Sequence, residues 1–67
     1  MKYNNIKALR LEKGISQKQI AIYLNCSQRA YSHYELGDRD IPSNLLIALS
    51  KYYEVSVDYI LGLSENR

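Results

Sequence analysis

The side chains best suited to chemistry in this sequence lie on one polar face near the start of a predicted helix: Gln28, Arg29, Ser32 and His33. These side-chain types hydrogen-bond to base edges in the DNA major groove. An arginine pairs with guanine O6 and N7, and a glutamine pairs with adenine N6 and N7. Any exposed helix also carries polar residues for solvation, so the elements that hold this face must decide between the two interpretations.

The face belongs to a segment from Ser16 to Gly37 with the pattern of two short helices joined by a tight turn. Ser16 with Gln19 three residues later is a capping box, which marks a helix start. Asn25 can adopt the left-handed conformation of a turn, and Ser27 suits the N-cap of the second helix. The segment predicts a helix-turn-helix, which can place its second helix in the major groove. This context favours base reading for the first two residues of the face, whereas the last two fit an ordinary surface equally well.

Three further helices are predicted around this unit. The first starts near Asn4 or Asn5, which are candidate N-caps, and ends at Gly14, at a left-handed cap position. The fourth starts at Pro42 after the longest loop, and the last starts at Ser56. Apolar residues recur at helical spacing in these helices, which predicts one small shared core.

Length, composition and cysteine content limit the class of protein. The chain has 67 residues, enough for one domain at most, and its 46% hydrophobic and 24% charged content is typical of a globular protein. No apolar run approaches the roughly 18 residues that span a bilayer, and the first residues lack a signal-peptide core. The single cysteine, Cys26, cannot form an internal disulfide, so cytoplasmic residence is the simplest interpretation.

Positive charge is concentrated in the first half of the chain. Residues 1–34 hold six Lys and Arg against one acidic residue, a net +5, whereas residues 35–67 hold three against six, a net −3. A basic half suits a surface that faces phosphates. The overall charge of +2 is too small to indicate nucleic-acid binding by itself, and the asymmetry also fits an ordinary solvated helix face.

No sequence motif supports an enzymatic or a metal-binding function. The sequence lacks a glycine-rich phosphate loop, a nucleophile motif and paired carboxylates framed by a histidine. One cysteine and one histidine do not make a zinc site, so Cys26 is interpreted as packing inside the turn. We therefore expect no enzymatic activity, no metal and no cofactor.

One set of residues matches a known pattern over about residues 5–62: Leu9-Arg10, Ile15-Ser16-Gln17, Ile20-Ala21, Leu24, Ser27, Tyr31-Ser32, Tyr34-Glu35, Gly37 and the tail from Val55 to Gly62. With this pattern the chain resembles the Cro/C1-type (XRE) helix-turn-helix family of bacterial and phage repressors. It departs from the family at three positions: Asn25 replaces a usual glycine, Cys26 a usual valine or isoleucine, and Tyr31 a usual smaller aliphatic residue.

The resemblance implies an all-α, compact, five-helix domain that is lambda-repressor-like. Residues 1–67 would form a single DNA-binding domain with the helix-turn-helix at 16–37. The family's base-reading positions fall on one set of residues in this chain: Ser27, Gln28, Arg29, Ser32 and His33.

The resemblance also implies contacts outside the third helix. The expected phosphate contacts are Gln17, Arg10, Lys18, Arg39 and Asn44. The acidic neighbours of Arg39 could equally hold it in a local salt bridge. Arg10 also matches a family arginine that bridges to a glutamate, here Glu35, and such a pair would lock the first helix to the third.

Residues 52–63 are a candidate dimerisation segment, in which the expected interface residues are Val55, Tyr59, Ile60 and Leu63. In the resembling family this end of the domain often forms a two-fold dimer. Such a dimer would present two recognition helices about one DNA turn, ~34 Å, apart. The same apolar residues are also suited to completing a small core, and the sequence leaves both interpretations open.

These features lead us to expect a transcriptional regulator that binds duplex DNA sequence-specifically. We expect a repressor acting as a homodimer on a palindromic operator, with no membrane partner and no small-molecule effector. Two alternatives stay open. One is an antitoxin or anti-regulator whose main partner is another protein, and the other is a helix-turn-helix kept as a structural interaction module without DNA affinity.

Overall fold

The computed structural model describes residues 3–67, and every regular element in that range is a helix. The five helices are α1 (Asn4–Lys13), α2 (Gln17–Leu24), α3 (Gln28–Leu36), α4 (Ser43–Tyr53) and α5 (Val57–Leu61). The prediction of an all-α, five-helix domain is therefore confirmed. Among the described residues, no helix combines the length and apolar character needed to cross a membrane.

Serine hydroxyls start three of the helices. Ser16 Oγ accepts from the Gln19 N–H at 3.1 Å, and Gln19 Oε1 accepts from the Ser16 N–H at 2.8 Å, so the predicted capping box is present. Ser27 and Ser56 cap α3 and α5 through the same type of backbone hydrogen bond. Each cap satisfies a backbone donor that the helix itself leaves free, an interaction worth about 1 kcal/mol.

The start of α1 differs from the prediction. Tyr3 occupies the N-cap position without a side-chain cap, and Asn4 and Asn5 lie inside the helix. The Asn5 side chain instead donates to the Tyr59 backbone oxygen at 2.6 Å, which ties α1 to α5. The buried Tyr3 hydroxyl accepts from the Ile41 N–H at 3.1 Å. Tertiary hydrogen bonds therefore replace the local cap that the sequence favoured.

The turn between α2 and α3 depends on Asn25, which ends α2 with φ 57° in the left-handed region. Asparagine tolerates this conformation better than most residues, so it can stand in for glycine here. Cys26 follows, half-buried and packed against the core as expected. Residues 25–27 thus form the whole connection between α2 and α3.

The core draws one fully buried side chain from each helix: Ile6, Ile20, Tyr31, Leu49 and Ile60. Ala21, only 2% exposed, supplies a small side chain that lets α2 pack closely against its neighbours. Since every helix contributes to the same cluster, the core holds α3 in a defined orientation.

Candidate nucleic-acid interface

The outward side of α3 carries the predicted base-reading residues. Gln28 and Arg29 are exposed in the first turn, and Ser32 and His33 are partly exposed one turn later. Tyr31, which lies between them in sequence, has no exposed surface. The helix is therefore anchored by its tyrosine side while its polar residues face solvent, which is the arrangement that groove reading requires.

Ser27 combines two tasks at the start of α3. Its Oγ accepts a hydrogen bond from the Ala30 N–H at 3.0 Å and so caps the helix. A hydroxyl has one donor hydrogen as well as its acceptor lone pairs. The exposed Ser27 side chain can therefore donate to DNA without giving up the cap.

A buried ion pair joins α1 to α3. Arg10 Nε donates to Glu35 Oε2 at 2.7 Å, and Arg10 Nη2 donates to Glu35 Oε1 at 3.2 Å. Each residue is 9% exposed, and Arg10 Nη1 also donates to the Ile15 backbone oxygen at 3.1 Å. The hydrogen bond to Glu35 raises the pKa of Arg10 above its ordinary value. The pair expected between these residues is present, with bidentate geometry.

The same carboxylate holds the start of α2. Gln17 Nε2 donates to Glu35 Oε1 at 3.1 Å. Burial alone would raise the pKa of Glu35, but hydrogen bonds from Arg10 and Gln17 hold that pKa below its ordinary value. One buried carboxylate thus connects α1, α2 and α3. It also orients Gln17, the first residue of α2, for which a phosphate contact was expected.

The structure argues against Arg10 as one of the expected phosphate contacts. All three of its guanidinium nitrogens donate inside the protein, to Glu35 or to the Ile15 backbone. With so little of the residue exposed, a phosphate would have to compete with a buried carboxylate for it. Arg10 therefore acts as a structural residue that joins α1 to α3.

A concave surface of about 250 Å³ lies between α1, the start of α2 and α3, and it is lined by Lys7, Arg10, Gln17, Ser32, Glu35 and Leu36. Sequence reasoning missed Lys7, an exposed residue of α1. Its position three residues before Arg10 puts the two on one helix face, which is the signal that could have identified it. The depression brings Lys7 together with Gln17 and Ser32, two of the predicted DNA contacts.

The remaining phosphate candidates are exposed near helix starts and in a loop. Lys18 lies in the first turn of α2, Asn44 lies in the first turn of α4, and Arg39 lies in the loop between α3 and α4. Helix N-termini attract anions through their free N–H groups and dipole. None of these three residues lines the concave surface beside Gln17.

The end of α3 contains a pair that sequence reasoning also missed. His33 Nδ1 lies 3.3 Å from Asp38 Oδ2, and the Asp38 N–H donates to the His33 backbone oxygen at 3.1 Å. Gly37, with φ 85°, makes the left-handed turn that brings Asp38 back to the helix. One of the two acids that flank Arg39 in sequence therefore contacts a predicted base-reading residue.

Two of the four predicted dimer residues are buried within the chain. Val55 is 7% exposed and Ile60 is 1% exposed, so they complete the core and offer a partner almost no surface. Leu63 is 73% exposed and Tyr59 is partly exposed. The Arg67 guanidinium lies 5.4 Å from the centroid of the Tyr59 ring and shields part of it. Of the four predicted residues, therefore, Leu63 and Tyr59 are the two with surface to offer a second copy.

Known proteins share this architecture. The helix-turn-helix family model matches residues 6–60, which takes in all or nearly all of each of the five helices. The chain belongs to the Cro/C1-type helix-turn-helix family.

One relative is the HTH-type transcriptional regulator ImmR of Bacillus subtilis (strain 168). It is 40% identical over 60 residues, and the match covers 90% of this chain and 47% of the relative. The uncharacterized HTH-type transcriptional regulator YqaE of the same strain is 39% identical over 62 residues, covering 92% of this chain and 53% of the relative. A crystal structure of a transcriptional regulator from Listeria innocua superposes with a TM-score of 0.85 at 30% identity, covering 94% of this chain and 59% of that one. The chain spans about half the length of these two curated relatives.

The helix-turn-helix accommodates the departures from the family pattern locally. Tyr31, where a smaller aliphatic residue is usual, is fully buried and packs edge-to-face on Tyr34, with ring centroids 6.4 Å apart. Two tyrosines therefore fill the space behind the recognition helix. Because Tyr31 points into the core, the change leaves the outward polar face of α3 intact.

Proposed function

We propose that this chain binds duplex DNA sequence-specifically and regulates transcription, acting as a repressor. The observation that carries the proposal is the outward polar face of α3 on a helix that a buried carboxylate locks to α1 and α2. A helix held this rigidly can present side chains to base edges with little ordering cost on binding. The names of the relatives, all HTH-type transcriptional regulators, support the same role.

In the proposed complex, α3 enters the major groove with its N-terminal end foremost. Arg29 pairs with guanine O6 and N7, and Gln28 pairs with adenine N6 and N7. Ser32 and His33 contact the next bases along the groove, and Ser27 contacts the base or phosphate nearest the start of the helix. These contacts supply sequence discrimination, whereas contacts to the phosphates set the register.

The proposed phosphate contacts flank α3 on both sides. Gln17, held by Glu35, and Lys18 lie at the start of α2, and Lys7 of α1 lines the same concave surface as Gln17. Arg39 and Asn44 reach the backbone from the α3–α4 loop and the start of α4. The amide, the cations and the free N–H groups of the helix starts then fix the domain on the duplex.

The proposed active form is a homodimer on a palindromic operator. Leu63 and Tyr59 would meet their counterparts in a second copy, with the two copies of α3 about one DNA turn, ~34 Å, apart. An isolated apolar residue as exposed as Leu63 gains from burial in such a contact. The bound dimer would repress by occupying promoter DNA.

The dimer can be tested with Leu63→Asp, because a charge in an apolar contact between copies carries a large desolvation cost. Wild-type protein at high micromolar concentration should sediment as a dimer and Leu63→Asp as a monomer. Ile22→Asp is the matched control, since Ile22 is 68% exposed on α2, away from α5, and should stay dimeric. A wild-type chain that remains monomeric with and without DNA would contradict the dimer.

Arg29→Ala should remove discrimination at one base pair of each half-site, by about 1–3 kcal/mol, because a bidentate contact to guanine is lost. Arg39→Ala is the contrasting variant, since loss of a phosphate contact should weaken binding to all sequences alike. Competition binding against single-base operator variants measures both effects. Equal weakening by Arg29→Ala on every sequence would make Arg29 a phosphate contact.

A further inference from the structure

His33 and Asp38 form a closed unit at the end of the recognition helix. The Asp38 N–H is bonded to the His33 backbone oxygen at 3.1 Å, and its carboxylate oxygen lies 3.3 Å from His33 Nδ1. The His33 side chain is 34% exposed and that of Asp38 is 62% exposed. The turn at Gly37 therefore holds the carboxylate against one ring nitrogen, while about a third of the His33 side chain remains exposed.

An ionised carboxylate only accepts hydrogen bonds, so the hydrogen between the two side chains must reside on Nδ1. In neutral imidazole one nitrogen is a donor and the other an acceptor. The contact with Asp38 thus leaves Nε2 as the acceptor. A histidine without this partner favours the opposite tautomer in water, with its hydrogen on Nε2.

We propose that Asp38 is a positioning residue that sets the base preference of His33 by fixing Nε2 as a hydrogen-bond acceptor toward the DNA. An acceptor in the major groove pairs with an exocyclic amino group, which only adenine N6 and cytosine N4 offer there. Guanine and thymine present acceptors at the corresponding positions, which repel the Nε2 lone pair. The base facing His33 is therefore A or C. This assignment rests on the proposed function, since it names the base class read by one residue of that interface.

Charge explains why the pair acts on specificity more than on affinity. A carboxylate just beyond the C-terminus of α3 is unfavourable to the helix dipole, and it repels nearby phosphates. Asp38 therefore lowers binding to DNA of any sequence. It can raise the ratio between right and wrong bases at the same time, because a fixed acceptor rejects bases that lack a donor.

The tautomer can be read directly in the free protein. His33 is the single histidine of the chain, so ¹⁵N-detected NMR of the imidazole needs no assignment. Spectra recorded at mildly alkaline pH compare the two tautomers of neutral imidazole. Wild-type protein should carry the hydrogen on Nδ1, and Asp38→Ala should move it to Nε2. Glu65→Ala removes an exposed carboxylate elsewhere and should change nothing.

Selection from a random duplex library then tests the base preference. The wild-type chain should enrich A or C at one position of each half-site, and Asp38→Ala should lose about 3- to 10-fold of that preference, as expected for one hydrogen bond. Binding of Asp38→Ala to random DNA should become tighter. Glu65→Ala should keep the A or C preference.

Two results separate failure of this assignment from failure of the proposed function. If the wild-type chain enriches a sequence and Asp38→Ala enriches the same sequence equally, the assignment is overturned while the DNA-binding function stands. A wild-type ring with its hydrogen on Nε2 also overturns the assignment. If the wild-type chain enriches nothing, the proposed function fails and the base preference fails with it.

Discussion

Glu35→Ala is expected to remove a large share of the protein's free energy of unfolding. The substitution strands the Arg10 guanidinium in the space between α1 and α3, and removing one partner of a buried ion pair costs about 3–5 kcal/mol. The total stability expected for a chain of 67 residues is about 3–10 kcal/mol. Gln17 also loses the partner that orients it at the start of α2. Urea unfolding followed by circular dichroism measures the loss.

Two variants separate burial from charge pairing as the cause. Glu12→Ala breaks an ion pair of the same length, 2.7 Å to Arg67, in which both side chains are about half exposed, so the urea midpoint should barely move. The double variant Arg10→Met, Glu35→Leu removes both charges and should recover most of the stability that Glu35→Ala loses. Equal losses from Glu35→Ala and Glu12→Ala would contradict a role for the buried network in holding the helices.

The hydrogen bonds around Glu35 also determine how the free energy of unfolding falls at acid pH. Because the pKa of Glu35 is lower in the folded chain than its ordinary value of 4.5, the unfolded state takes up its proton first as pH falls. The contribution of the ion pair is therefore complete above that ordinary value and is lost as pH drops through the lower folded pKa. The double variant should lack this component, and its unfolding free energy should depend less on pH in that window.

DNA affinity is expected to fall about 1,000-fold between about 50 mM and 200 mM salt. Three proposed cationic contacts, Lys7, Lys18 and Arg39, give six in a dimer, and each phosphate neutralised contributes about −0.9 to the slope of log K against log salt. The slope should therefore be about −5. Fluorescence anisotropy of a labelled duplex across a salt series measures it.

Lys18→Gln provides the matched variant for this slope. It removes two cationic contacts from the dimer and should make the slope about 2 units shallower, with the preferred sequence unchanged. Lys51→Gln removes the same charge from the last turn of α4, far from the recognition helix in the chain, and should leave the slope unchanged. A Lys51 effect as large as that of Lys18 would indicate general electrostatics in place of a defined interface.

The local features of this fold could be predicted because they depend on neighbouring residues. Ser16 and Gln19 form a capping box from three residues of spacing, and Gly14 and Asn25 end helices by adopting left-handed conformations. The Arg10–Glu35 pair is 25 residues apart in sequence, and only the family resemblance suggested it. The spacing of apolar residues along a helix carries no information about a contact between residues so far apart in sequence.

The misjudged positions are those that tertiary packing decides. Val55 and Ile60 were suited either to a partner surface or to the core, and both are buried because a small domain draws on apolar side chains at each helix to build its core. Asn5 was expected to cap α1 and instead bonds to the Tyr59 backbone. The pairing of His33 with Asp38 depends on the exact path of the chain after Gly37, so residue types could not separate it from a salt bridge to Arg39.

Selection from a random duplex library by the wild-type chain, read out at two salt concentrations, tests the central claim most directly. We expect an enriched palindrome whose half-sites are about one DNA turn, ~34 Å, apart, at both salt concentrations. That outcome would establish base reading by α3 and the two-fold arrangement together. Salt-sensitive binding with no enriched sequence would contradict the account, and it would direct attention to a protein partner for this helix-turn-helix.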